Sequence, residues 1–259
     1  MRMALRGALA LFLTALAAAA TYFILTMLGP DWTMFAPATC LATHCFCEIP
    51  RTGQLVLQPA NSWSSLSFVF VGLWVMLAGG PRSNRTPFCG FAAIWFGLTA
   101  IVIGIGSFLL HATLTLWGQF GDVLGMYLFS AFTVTYAFKR WRELGSVASA
   151  AIYLVMCAVL IGLLIVVPET RRWMFAVVIV ADIIVELWLA RPHRPRVEVQ
   201  WYLWGIALQA VAFTIWILDQ TGRWCSGSSL VQGHAIWHFL NAAALFTSYL
   251  YYRSERRFR

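Results

Sequence analysis

Residues 106–127, GSFLLHATLTLWGQFGDVLGMY, close one long apolar segment and open the next, with only a short turn between them. The two apolar segments, at about 90–113 and 121–138, are each near the roughly 20 residues that a helix needs to cross a bilayer. Over the whole chain of 259 residues, 61% are hydrophobic, 11% are charged and the mean hydropathy is +0.75. Soluble domains carry about 25% charged residues. The composition therefore excludes a soluble globular domain and indicates an integral membrane protein.

Six further apolar segments have similar lengths, so the sequence predicts an all-α, polytopic membrane helix bundle. They lie at about 4–28, 61–80, 147–167, 173–190, 201–219 and 230–252. The segments from residue 61 onward make a core of seven spans. The first segment has a basic start and an ALAAAA stretch that resembles a signal-peptide cleavage site. Its apolar run is long for a signal peptide, which favours an additional N-terminal transmembrane helix.

This pattern divides the chain into four parts. Residues 1–30 are the N-terminal helix or signal segment, and residues 31–60 are a connection on one face of the membrane. Residues 61–252 are the seven-helix core, and residues 253–259 are a basic tail.

The basic residues predict the orientation of the bundle. One side receives fourteen of them and the other side only four. The larger set is Arg2, Arg6, Arg82, Arg85, Lys139, Arg140, Arg142, Arg191, Arg194, Arg196, Arg253, Arg256, Arg257 and Arg259, and the smaller set is Arg51, Arg171, Arg172 and Arg223. The positive-inside rule places the larger set, and with it the C-terminus, in the cytoplasm. The net charge of +8 is thus a topology signal facing anionic lipid rather than a sign of nucleic-acid binding. With one lysine against seventeen arginines, the composition favours a bacterial inner-membrane protein.

Ionisable residues within spans are costly, so each one marks a candidate functional site. His111 ends the 90–113 span, and Asp122 begins the next span at the same face of the membrane. His234 and His238 open the last span, which starts from that face too. Four potential metal ligands from three helices therefore converge at one depth near the outer, periplasmic leaflet.

The spacing of these residues favours a catalytic metal. His234 and His238 are four residues apart, as are Ser107 and His111, so each pair shares one helix face. Three imidazoles and one open position are typical of catalytic zinc, which lowers the pKa of bound water to about 7. We expect Asp122 to exchange protons with that water and Ser107 to hydrogen-bond the water or a developing oxyanion. Backbone capping, haem ligation and a polar cluster between helices are the alternatives for the histidines.

A second acidic pair lies inside the 173–190 span. Asp182 and Glu186 are four residues apart in IVADIIVELWLAR. A proton relay and a structural hydrogen-bonding role are both consistent with this pair.

Three segments resemble the alkaline ceramidase family. GSFLLHATLTLWGQFGDVLGM is similar to its Ser-x-x-x-His…Asp segment, and HAIWHFLNAAALF, residues 234–246, to its C-terminal His-x-x-x-His segment. NSWSSLSFVFVG, residues 61–72, is similar to its Asn-Thr-x-Ser-Asn segment. The resemblance runs from about residue 47 to the C-terminus. It implies a seven-helix intramembrane hydrolase, related to adiponectin receptors, that cleaves the amide of ceramide-like lipids. The implied zinc ligands are His111, His234 and His238, with Ser107 and Asp122 as catalytic residues.

The sequence departs from that family in the segment CFCEIPRTGQLVLQPANSW, residues 45–63. The eukaryotic members have an acidic segment here that is associated with calcium. Glu48 remains, but Pro50 stands where an Asn is expected and Gln58 where a Glu is expected. Calcium prefers several oxygen ligands that include carboxylates. We therefore predict no calcium site.

Four cysteines fall in the connections on the outer face, where disulfides are permitted. The family pattern favours a Cys47–Cys225 disulfide, which leaves Cys40 and Cys45 to close a small loop. Zinc binding by these cysteines is the alternative, although the chain lacks the paired C-x-x-C pattern.

Together these features predict a zinc-dependent amidohydrolase that acts on an N-acyl lipid. The substrate is expected to enter between helices from the bilayer and to yield a fatty acid and a sphingoid base. Trp237 lies beside the histidines and either lines the substrate cavity or anchors the helix at the interface. An ester-lipid hydrolase, a non-catalytic sensor of the adiponectin-receptor type and a haem protein are the alternatives. No nucleic-acid partner and no obligatory protein partner is expected.

Overall fold

The structure is a computed structural model that describes residues 3–43, 45–79, 86–194 and 197–256. Across these residues the chain forms eight long α-helices and no strand, which confirms the predicted all-α polytopic bundle. The helices are α1 (Met3–Leu28), α2 (Pro59–Gly79), α3 (Phe91–Thr113), α4 (Leu116–Arg142), α5 (Ser146–Val166), α6 (Arg171–Ile184), α7 (Val199–Gln220) and α8 (Gly233–Ser254). Six of the orienting arginines lie outside the described residues, namely Arg2, Arg82, Arg85, Arg196, Arg257 and Arg259.

Six helical segments are long and apolar enough to cross a membrane: α1, α2, α3, α5, α7 and the Pro168–His193 segment that contains α6. The helices α4 and α8 are less apolar because they carry polar side chains that are buried inside the bundle, among them Gln119, His234, His238 and Asn241. Large apolar side chains on α1, α5 and α7 are exposed on the outer surface of the bundle. Apolar groups outside and polar groups inside are the arrangement expected of a bundle in lipid.

Four helices form the centre of the bundle. Helix α2 packs against α3 and α8, and α3 packs against α4. Around this centre, α7 packs on α8, α5 and α6 pack on α4, and α1 packs on α2. Aromatic rings fill much of the core, with Phe88 in contact with Phe96, Tyr136 and Tyr252. Burial of such a ring contributes roughly 1.5–3 kcal/mol.

Glycines allow the central helices to approach closely. A Cβ on Gly106 of α3 would lie 2.3 Å from the carbonyl oxygen of Gly121 in α4, and a Cβ on Gly72 of α2 would lie 2.4 Å from that of Gly97 in α3. No side chain fits at these distances. The backbones of α2, α3 and α4 are therefore in direct contact, which holds the residues they carry in a defined geometry.

The turn between α3 and α4 is shorter than predicted. Leu114 ends α3 with a left-handed φ of +50°, and Thr115 caps α4 by accepting the N–H of Gly118 at 3.3 Å. Helix α4 therefore begins at Leu116 rather than near residue 121. Residues 36–38 support this turn, since the Ala38 N–H donates to the Leu114 carbonyl at 2.8 Å. The end of the bundle that contains this turn and the start of α8 is called the site end, and the opposite end is called the far end.

A buried ionic cluster lies at the far end. Arg140 of α4 pairs with Glu186 and with Glu255, whose Oε2 accepts the Arg140 Nε–H at 2.6 Å. The Tyr251 hydroxyl also donates to Glu186 at 2.5 Å. These contacts give Glu186 the structural role that the sequence left open. Arg194 joins the cluster at 3.4 Å from Glu255.

Candidate metal centre

Three histidines meet at the site end of the bundle. His111 stands in the last turn of α3, and His234 and His238 stand in the first two turns of α8. Each offers a ring nitrogen, and these nitrogens all lie within 4.8 Å of one another. All three side chains are buried. The structure thus brings together the three histidines of the predicted convergence, whereas Asp122 is not part of this group.

Hydrogen bonds orient two of the three rings. The Gln58 amide donates to the Glu48 carbonyl at 2.7 Å, so its own carbonyl oxygen faces His111 and accepts the Nδ1–H at 3.0 Å. The Ser64 hydroxyl donates to the Asn61 carbonyl at 3.0 Å, so it accepts the Nδ1–H of His238 at 2.8 Å. These partners assign both rings to the Nδ1–H tautomer. The Nε2 lone pairs of His111 and His238 are therefore left for the centre of the cluster.

The backbone of His234 is held by an acid from the neighbouring helix. Asp219, at the end of α7, accepts the N–H of His234 at 3.1 Å through one oxygen and the N–H of Cys47 at 3.2 Å through the other. One carboxylate therefore ties the start of α8 to the connection between α1 and α2. Nearby, Gly233 leaves room for this carboxylate, since a Cβ there would lie 3.0 Å from the Cβ of Asp219.

Two ring nitrogens in the cluster have no hydrogen-bond partner among the described residues. They are Nε2 of His111 and Nδ1 of His234, both buried. A buried polar atom without a partner costs about 1–3 kcal/mol. Neutral imidazole nitrogens are good ligands for divalent transition metals. The cluster therefore fits a metal ion, which would pair the atoms that the protein leaves unpaired.

Ser107 and Asp122 lie on one side of the histidines. The Ser107 hydroxyl is 3.1 Å from Nε2 of His238, and Asp122 of the neighbouring helix lies close to Ser107. The close contact of Gly106 with the backbone of Gly121 and Asp122 brings these side chains together. Both residues thus lie near the histidines, and their catalytic roles remain predictions.

An aromatic ring and two disulfides cover the histidines at the site end. The Phe46 ring centre lies 4.4 Å from that of His111 and 4.3 Å from that of His234. Its neighbours Cys45 and Cys47 are each bonded to another cysteine. The pairs are Cys40–Cys45 and Cys47–Cys225, with Cα–Cα distances of 4.7 and 5.4 Å. The disulfides therefore restrain the backbone on both sides of Phe46, whose ring packs on the histidines.

A cavity of about 300 Å³ begins at Trp237 and Phe68, beside the histidine cluster, and extends toward the far end. Trp237 lines it and stacks on the His234 ring, with centres 5.1 Å apart and planes inclined by 9°. Phe68 also lines the cavity, and its ring lies 6.0 Å from that of His238. The cavity walls are mainly apolar. A hydrocarbon chain in this cavity would place its polar end beside the histidines.

Glu48, in the segment for which no calcium site was predicted, acts as a helix cap. Its two carboxylate oxygens accept the N–H groups of Ala60 at 2.8 Å and Asn61 at 2.9 Å, at the start of α2. A carboxylate is stabilising at this position because it pairs with free N–H groups and with the helix dipole. Burial raises the pKa of Glu48, while the same N–H groups act in the opposite direction.

Sequence reasoning missed four residues that shape the site. Ser64 lies within a segment that the resemblance had marked, and Gln58 was noted only as a departure from the family. Asp219 carried one usable signal, because an acid at the end of an apolar span is unusual. Nothing in the local sequence distinguishes Phe46 from other aromatic residues.

A comparison with protein families was consistent with this geometry. The family model described as Ceramidase matches residues 41–257. The matched region contains the three histidines, Ser107 and Asp122, whereas α1 lies outside it. None of the curated proteins compared with the chain matches it.

Proposed function

Since the chain belongs to the ceramidase family, which implies a hydrolase, we propose that it is a zinc-dependent amidohydrolase of the membrane. The proposed reaction cleaves the amide bond of ceramide-like N-acyl sphingolipids to a fatty acid and a sphingoid base. One observation carries this proposal: three buried imidazoles, two of them with unpaired nitrogens, lie next to an apolar cavity whose wall residue Trp237 stacks on His234.

His111, His234 and His238 would hold the zinc ion. Three neutral imidazoles with a further open position are a frequent ligand set of catalytic zinc. Gln58 and Ser64 support it by accepting the second ring N–H of two ligands, which fixes their tautomers. A zinc ion in this position supplies a Lewis acid for the amide carbonyl and lowers the pKa of a water molecule.

Asp122 and Ser107 carry out the proton transfers and hold the polar group of the substrate. Asp122 takes a proton from the attacking water and delivers it to the amide nitrogen as the C–N bond breaks. Ser107 lies between Asp122 and His238, where its hydroxyl orients the carboxylate or donates to the developing oxyanion. The water oxygen ends on the fatty acid, and its protons are shared between the two products.

Phe46 and the cavity together favour entry from the bilayer. The ring of Phe46 packs on those of His111 and His234, where it would close a direct path from the aqueous side. The cavity would give an apolar path along the bundle that ends at Trp237, which stacks on His234. We propose that a lipid chain lies in the cavity while its amide reaches the metal, and that Trp237 contacts the substrate.

We further propose that the site end faces the outer leaflet of a bacterial inner membrane. The far end carries most of the basic residues that the structure describes, including Lys139, Arg142 and Arg194. The positive-inside rule therefore places the far end in the cytoplasm.

Lipid hydrolysis by the purified protein tests this function. The wild-type protein and two variants are incubated with N-acyl sphingoid lipids and with matched ester lipids, and released fatty acid is measured. His234→Ala is expected to abolish release from the N-acyl lipids. The control His193→Ala removes an exposed histidine at the far end and should retain full activity. Equal activity of His234→Ala and wild type would refute the assignment, and release from esters alone would identify an ester hydrolase.

A further inference from the structure

The cavity has a polar end that the proposed reaction does not use. Asp182 of α6 lines the cavity on the side away from the histidines, together with Thr133 of α4 and Ser248 of α8. Thr133 follows Asp122 by eleven positions along α4, so this end lies about 16 Å from Asp122. An extended hydrocarbon chain advances about 1.3 Å per carbon, so this distance corresponds to about a dozen methylene groups.

One oxygen of Asp182 has a partner and the other has none. Oδ2 accepts the hydroxyl of Tyr202 at 3.0 Å. Oδ1 is buried and receives no hydrogen bond from any described residue. Thr133 is close to this carboxyl group, but its hydroxyl donates to the Ser130 carbonyl at 3.0 Å. The protein therefore leaves a strong acceptor without a donor at the wall of a cavity.

The neighbouring acid, Glu186, also has one buried oxygen without a hydrogen-bond partner among the described residues, but it does not line the cavity. Glu186, one turn further along, is bound to Arg140 and to Tyr251 in the far-end cluster. Helix α6 also changes between the two acids, because the Val185 N–H is shared by the carbonyls of Ala181 and Asp182 and a wider, π-helical turn, Val185–Ala190, follows. Such turns are frequent at functional sites. Here Asp182, at the cavity, lies before the wider turn, whereas Glu186, in its ionic cluster, lies within it.

The rest of the cavity supports a ligand with a long apolar part and a distal polar group. Ile103, Phe129 and Leu245 line the part between the two ends. At the polar end the hydroxyl of Tyr252 is also buried without a partner among the described residues. An unbranched saturated chain would leave both this hydroxyl and Oδ1 of Asp182 unpaired. A hydroxyl group on the chain can pair with Oδ1 as a donor.

We propose that Asp182 recognises a hydroxyl group in the distal half of the lipid chain. This inference rests on the proposed function insofar as the cavity takes the chain of an N-acyl lipid. It adds the substrate class, namely lipids whose chain carries a hydroxyl about a dozen carbons from the amide. Asp182 is a specificity-determining residue in this account and takes no part in the hydrolysis.

Binding measurements test this inference without requiring hydrolysis. Full-length protein in detergent is loaded with a fluorescent fatty acid, which is displaced with octadecanoic, 2-hydroxyoctadecanoic or 12-hydroxyoctadecanoic acid. Wild type should bind the 12-hydroxy acid about fivefold more tightly than the other two, the size of one net hydrogen bond. Equal binding of all three acids by wild type would overturn the inference, whatever the variants show.

Two substitutions of Asp182 and one of Tyr202 test whether Asp182 causes the preference for the 12-hydroxy acid. Asp182→Leu should bind all three acids equally, whereas Asp182→Asn, which still forms hydrogen bonds, should retain the preference. Tyr202→Phe removes the partner of Oδ2 and leaves Oδ1 in place, so it should retain the preference as well. A preference that survives in a folded Asp182→Leu protein would contradict the assignment. If wild type shows the binding preference but cleaves no N-acyl lipid, the proposed function fails and the cavity inference stands.

Discussion

At the level of single residues, the histidine cluster depends on partners that bind the outer nitrogen of two of its three rings. Gln58 holds His111 and is itself held by the Glu48 carbonyl, so its amide orientation is fixed at both ends. Ser64 does the same for His238. Such hydrogen bonds raise the basicity of a ligand and remove the freedom of its ring to turn. The metal affinity of the site is therefore expected to depend on residues that never touch the metal.

Replacing Gln58 tests this dependence. Gln58→Leu removes the acceptor for the Nδ1–H of His111 and should weaken zinc binding by roughly 10–100-fold. Gln58→Glu keeps an oxygen at this position and should bind zinc much more tightly than the Leu variant. Competition with a chromophoric chelator measures both affinities. Equal affinities of Gln58→Leu and wild type would show that Gln58 does not support the ligand.

The pH dependence of stability reports on Glu48. Burial raises its pKa above the ordinary value of 4.5, so the folded state binds the proton more tightly than the unfolded state. The resulting stability is fully present below 4.5 and is lost as the pH rises through the folded-state pKa. The unfolding temperature of wild type relative to Glu48→Gln should therefore fall as the pH is raised above 4.5. A difference that grows with pH would contradict the raised pKa.

The sequence predicted the residues of the proposed site more completely than it predicted the residues that form hydrogen bonds with them. His111, His234, His238, Ser107 and Asp122 followed from two rules, namely the cost of polar groups in lipid and the period of the helix. Hydrogen-bond partners such as Gln58 depend on how a connection folds back against the helices. No periodicity encodes that contact.

At the level of the helices, the contact between α3 and α4 determines where the two proposed catalytic residues lie. Ser107 follows Gly106 and Asp122 follows Gly121, so both come directly after the residues whose backbones touch. Any increase in the separation of these helices would separate Ser107 from Asp122.

Substitution of Gly106 should therefore impair both stability and activity. In Gly106→Ala the new Cβ would lie 2.3 Å from the Gly121 carbonyl oxygen, and the helices must move apart. Overpacking of this kind costs about 1–3 kcal/mol, so we expect a lower unfolding temperature and a loss of lipid hydrolysis.

A glycine on another helix provides the control. Nothing lies within 4 Å of a Cβ built on Gly162 of α5, so Gly162→Ala should leave activity unchanged and raise stability slightly through its helix propensity. Equal behaviour of the two variants would argue against close α3–α4 packing as a requirement.

The sequence predicted that each helix forms, but it predicted the first and last residues of the helices only in part. All eight apolar segments form helices because each is near the length of a bilayer span. Helix α4 extends five residues beyond the predicted start because Thr115 caps it, and it continues to Arg142 beyond the predicted end. Its last turn carries Lys139, Arg140 and Arg142, which favour a helix C-terminus electrostatically. Hydropathy alone does not register such polar turns.

For the whole molecule, the two ends of the bundle differ in chemistry. The site end holds the disulfides and the histidine cluster, and the far end holds the buried ion pairs of Arg140 and most of the described basic residues. Disulfides persist in oxidising compartments. Disulfides and basic residues therefore favour the same orientation independently.

Reporter fusions at the C-terminus test that orientation. In bacterial cells a C-terminal alkaline phosphatase should be inactive and a C-terminal green fluorescent protein should fluoresce, because the basic far end remains in the cytoplasm. The same pair of reporters fused to a protein truncated after Arg223, at the site end, should give the opposite result. Phosphatase activity from the full-length fusion would invert the proposed topology.

The central claim is that the three histidines hold zinc for the cleavage of an amide lipid. Its most direct test is the release of fatty acid from an N-acyl sphingoid lipid by wild-type protein stripped of metal with a chelator and then supplied with zinc. We predict that activity disappears on stripping and returns on addition of about one zinc ion per chain. Full activity in protein shown by elemental analysis to be free of zinc would contradict the claim.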